Sequence, residues 1–133
     1  MSILWREDGQ DLVEYALIFP LLILILLGIL EFGILFFDYS TIANAAREGA
    51  RAGILPATTA CNLACRDAAA LTAAQNAAAA LHSTPTIAVT HPSAGTIQVT
   101  VTYNTSLITG PMIAAVGGSG AISLHSVATM RTE

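Results

Sequence analysis

With 133 residues, a formal net charge of -4, and 11% charged against 54% hydrophobic residues, the chain allows one membrane segment and one small domain. It has no lysine, which excludes a phosphate loop built on lysine and argues against a nucleic-acid binder that needs many basic contacts. If the first 55 or so residues are helix and membrane, about 80 remain, a size at which a disulfide or an oligomeric partner helps a fold to hold.

The opening MSILWREDG sets its single positive charge, Arg6, beside Glu7 and Asp8 and ends at Gly9. A secretory signal would show a positive start, a short apolar run and a small-residue cleavage site close behind it. Here Ala43-Asn44-Ala45 could serve as that site only well beyond the apolar run. Residues 12–37, LVEYALIFPLLILILLGILEFGILFF, carry no ionisable groups except Glu14, Tyr15 and Glu31. At roughly 1.5 Å per residue, about 26 helical residues reach about 39 Å, against a hydrocarbon layer of roughly 30 Å. A helix so long and apolar on every side reads as a membrane helix.

Pro20 removes one backbone donor inside this run and predicts a kink, which membrane helices tolerate. Glu14 lies near one end, where an intramembrane carboxylate is usually functional or partnered; simple solvation by headgroups is the alternative. Glu31 and Asp38 share a helix face, so either that face meets a partner or Glu31 sits solvated at the far interface. The helix continues as DYSTIANAAREGARAGIL, now rich in small residues. Gly49 and Gly53 form a small-xxx-small pair that lets another backbone approach closely, Arg47 and Arg51 share a face, and Leu55-Pro56 closes the segment. With Arg6 on one side and Arg47 and Arg51 on the other, positive charge assigns no orientation.

Gly9, followed by a glutamate at the fifth residue after it, then Tyr15 and an apolar helix, resembles a class III, or type IV-like, prepilin site. The Glu14-Tyr15 pair is similar to the Flp/Tad branch. The stretch from Gly9 to Gly53, with GQDLVEYALIFPLLILILLGILEFG followed by NAAREGARAG, closely resembles the TadE-like family of minor pilins and pseudopilins. Asp11 departs from the small or apolar residue common in that family. The resemblance implies cleavage after Gly9 by a prepilin peptidase, a mature chain starting at Gln10, and Glu14 meeting a neighbour's new amino terminus during filament assembly. It also implies a minor rather than major subunit, with other Tad pilins and the pilus assembly platform as partners. The N-terminus would be cytoplasmic, the helix would cross the bacterial inner membrane once, and the head would lie outside. The competing reading is an uncleaved single-pass membrane protein whose outer domain binds an envelope partner.

Beyond residue 55, Cys61 and Cys65 stand one helical turn apart, which in an oxidising compartment reads as a short local disulfide, with free thiols as the alternative. The spacing does not suit a zinc knuckle. Residues 66–82 are alanine-rich and predict a helix, with Leu71, Ala74, Ala78 and Leu81 as its apolar stripe. Residues 86–90, 96–103 and 121–131 alternate as strands, the first two joined by a turn at 91–95. In the apolar connector 107–120, Pro111 can open a helical turn, and 117–120 reads as a flexible linker. The expected fold is therefore α+β: a leader at 1–9, a transmembrane and assembly helix at 10–55, and a head at 56–133 with a helix on a small antiparallel sheet. His82, His91 and His125 are scattered, and no nucleophile motif or carboxylate pair appears. The expectation is a structural protein without cofactor, metal or small-molecule substrate, and not an enzyme.

Overall fold

The structure, a computed structural model, describes residues 8–54 and 62–131. Its first element, α1 (Asp8–Gly53), is a single helix of 46 residues that passes Pro20 without a break. It stops ahead of the Leu55-Pro56 pair, which lies outside the described residues. Then come α2 (Leu63–Ala77), β1 (Thr86–Thr90), β2 (Thr96–Ser106), α3 (Gly110–Ala115) and β3 (Ala121–Arg131). The strands form an antiparallel sheet in the order β1-β2-β3. The fold is α+β.

β2 is the central strand, pairing Thr86 with Thr102 through Thr90 with Gln98 on one side, and Thr96 with Arg131 through Ser106 with Ala121 on the other. Its alternation turns Ile97, Val99, Val101 and Tyr103 inward, and all four are buried. The turn before β2 uses Gly95 at φ 74°, a conformation that costs glycine least.

One core joins these strand residues to Ile42, Ala45, Ala46 and Ala50 of α1 and to Ala70, Ala74 and Ala78 of the α2 segment. The last turns of α1 are thus part of the head, and a division at residue 55 follows the chain but not the packing. α2 begins earlier than residue 66, because the Asn62 side chain caps it by accepting from the Cys65 N–H at 3.0 Å. Its buried face centres on Ala70, Ala74 and Ala78, whereas Leu71, expected in the stripe, is half-buried. Small side chains let two helices approach closely, so alanine occupies the line of contact and leucine its edge.

The connector 107–120 is more ordered than a linker. Its ends are joined by Leu107 N–H donating to Gly120 C=O at 2.9 Å. A Cβ on Gly110 would fall 2.9 Å from the Gly120 oxygen. Gly118 N–H donates to the Ile113 carbonyl at 2.9 Å and closes the end of α3, with Gly117 at φ 87°.

Candidate functional site

The head leaves most of α1 uncovered. From Leu12 to Leu30 the large apolar side chains other than half-buried Leu27 stand exposed, from Ile23 at 39% to Leu17 at 75%. The most apolar 18-residue window has mean hydropathy 2.7 and no buried residue. Single folded chains in water rarely expose contiguous apolar patches beyond a few hundred Å². This surface therefore requires lipid or other helices around it, and among the described residues α1 is the one helix long and apolar enough to cross a membrane, which suggests a single-pass anchor.

At the free end of this surface, Gly9 and Gln10 lie within α1 and are exposed, as are Glu14 and Tyr15. Nothing lies within 4 Å of where a Gly9 Cβ would stand. Gln10 and Glu14, four positions apart, occupy the same side of the helix within about 6 Å. A free amine at Gln10 would therefore have the Glu14 carboxylate one turn away along its own chain.

At the other end, the structure brings Gly49 and Gly53 against the chain's own head. A Cβ on Gly49 would meet Ala74 Cβ at 2.9 Å and the Ala70 carbonyl oxygen at 3.1 Å, while one on Gly53 would collide with Ile97 Cδ1. Gly49 thus admits the backbone of α2, and Gly53 the Ile97 side chain of β2. Arg66 reaches back to donate from Nε to the Gly53 carbonyl at 2.9 Å, capping one of the carbonyls that a helix end leaves unpaired. Arg47 and Arg51 are exposed. Cys65 is disulfide-bonded; Cys61 lies outside the described residues.

Two junctions escape sequence reasoning. The carboxylate of Glu31 accepts from the Thr109 N–H at 3.2 Å and from its hydroxyl at 2.5 Å. Glu31 is thus neither simply solvated nor reserved for another chain: the head supplies two donors. On the same face, Asp38 is 2% exposed. The second junction ties the turn before β2 to α2, where His91 Nε2 meets Asp67 Oδ1 at 2.9 Å and His91 Nδ1 meets the Thr96 carbonyl at 3.0 Å. Neither pairing has a local sequence signal. Among the described residues no group of three or more His, Cys, Asp or Glu is placed to hold a metal ion.

Neither a curated protein nor a solved structure matches the chain. Residues 9–51, α1 almost to its end, match the family model described as TadE-like protein, so the uncovered helix, about a third of the chain, is similar to that of TadE-like proteins.

Proposed function

We propose that the chain is a minor pilin or pseudopilin of a Tad pilus, released from its leader by a prepilin peptidase cutting between Gly9 and Gln10. The observation that carries this is the uncovered apolar surface of α1, continuous with a head built on the last turns of the same helix. Such a helix serves as a membrane anchor before assembly and as packing surface after it. Leaving lipid for water would cost on the order of 25 cal/mol per Å² of apolar surface, so extraction is feasible only as other helices cover residues 12–37. Those helices belong to other Tad pilus components, and the assembly platform brings them together. Gln10 supplies the new amino group and Glu14 the carboxylate that pairs with it, within a chain or between neighbours; the dry setting strengthens the attraction. The disulfide of Cys65, in the first turn of α2, supports a head that lies in an oxidising compartment outside the inner membrane.

The test is Glu14→Ala in cells making the pilus. The variant should still be cleaved and should reach the membrane, but it should disappear from sheared filaments and from cross-linked pilin complexes. Incorporation at the wild-type level would refute the assembly role of Glu14.

A further inference from the structure

The connector between β2 and β3 is the part of the head nearest the exposed run of α1, and it contains no charged residue from 107 to 120. Ile108, Met112 and Val116 stand out from it, exposed by 59%, 62% and 86%. Its level along α1 is set by Thr109, whose N–H and hydroxyl both hold the Glu31 carboxylate. β2 leads down to this level: Ile97 faces Gly53 and Val99 faces Gly49 near the end of α1, and residues 104–106 and Ile108 share a pocket with Ile34 and Asp38. On the side of α1 away from the head, the exposed apolar surface continues past Glu31 through Phe32, Phe36 and Phe37. The connector therefore sits about 9 Å below the upper edge of the apolar band, counting six residues at roughly 1.5 Å each.

We propose that this connector is a second membrane contact: Ile108, Met112 and Val116 enter the lipid at the boundary between headgroups and acyl chains, beside α1. This rests on the reading of α1 as a membrane-spanning helix. The depth is that at which apolar residues of interfacial segments lie, about 5–10 Å into the headgroup and acyl boundary. Irregular backbone is tolerated near lipid only when its polar groups are satisfied internally. The connector meets much of that demand through the Leu107–Gly120 bond, the Gly118–Ile113 bond and the turns of α3. The same arrangement accounts for a glutamate inside an apolar band, since Thr109 supplies donors where water is scarce. With two contacts the head is held at a fixed tilt on the membrane, and the connector must leave lipid when the helix is extracted.

The methionines offer a test on the full chain. Met112 is on the connector, whereas Met130 is half-buried on β3 opposite Ile97, at the far end of the head. The protein, carrying ¹³C-methyl methionine, is placed at one chain per bilayer nanodisc containing a lipid with a nitroxide near the headgroup end of its acyl chain. The substitution Leu24→Met adds a probe within the span, and Met112→Leu assigns the connector signal. The proposal expects the Met112 methyl to broaden together with the span probe while Met130 stays sharp. A sharp Met112 signal beside a broadened span probe overturns the proposal but not the membrane helix, and leaves the connector surface to a neighbouring chain. A sharp span probe would overturn the membrane helix and the proposal with it.

Discussion

Replacing Gly49 by alanine places one methyl group where α1 and α2 touch. Its Cβ would stand 2.9 Å from Ala74 Cβ, 3.1 Å from the Ala70 carbonyl oxygen and 3.2 Å from Val99 Cγ1. The first two atoms are fixed by the backbone of α2, so no change of rotamer relieves them and the helices must move apart. Alanine gains up to about 1 kcal/mol over glycine in helix propensity, while over-packing a close-packed core costs about 1–3 kcal/mol. The net expectation is a loss of about 1–2 kcal/mol, which lowers the melting temperature of a domain this small by about 5–15 °C. Gly28 is the control, since nothing lies within 4 Å of its Cβ position. Thermal unfolding of the full chain in detergent, followed by the near-ultraviolet dichroism of buried Tyr103, should show a lower transition for Gly49→Ala and an unchanged or higher one for Gly28→Ala. A Gly49→Ala transition at or above that of the parent chain would refute the close α1–α2 contact.

Two further perturbations test the junctions. Thr109→Val keeps the backbone donor to Glu31 but removes the hydroxyl, and should weaken the clasp by about 1 kcal/mol. Hydrogen exchange should then quicken for the Met112 and Ile113 amides, which bond to the Thr109 carbonyl; unchanged exchange would contradict the clasp. If Cys61 and Cys65 pair with each other, alkylation of the unreduced, denatured protein should add no label and alkylation after reduction should add two.

The elements most legible in the sequence were those with a strong local period. Residues 12–37 read as a continuous apolar helix, and the alternation of Ile97, Val99, Val101 and Tyr103 marked the face that β2 buries. The faces of α2 were harder to read, because in RDAAALTAAQNAAAALH nearly every position is apolar and small. Only the approach of α1 selects Ala70 over Leu71. The helix start is earlier than alanine content alone pointed to, because the Asn62 side chain caps α2. Gly117 to Gly120 looked like a linker by composition, yet these glycines close α3 and fit against Gly110. Glu31 and Thr109 are 78 positions apart, and no local pattern could pair them. The candidate processing site was the reverse case: Gly9, Gln10, Glu14 and Tyr15 were legible only as a motif, and under the proposed function what they act on includes other molecules.

The most direct test of the account is the N-terminal sequence of the membrane-extracted protein, from cells with and without the prepilin peptidase. The account predicts a mature chain beginning at Gln10 when the peptidase is present and at the unprocessed N-terminus when it is absent. An uncleaved N-terminus in both would contradict it, leaving a permanent single-pass membrane protein whose head must find its partner in the envelope.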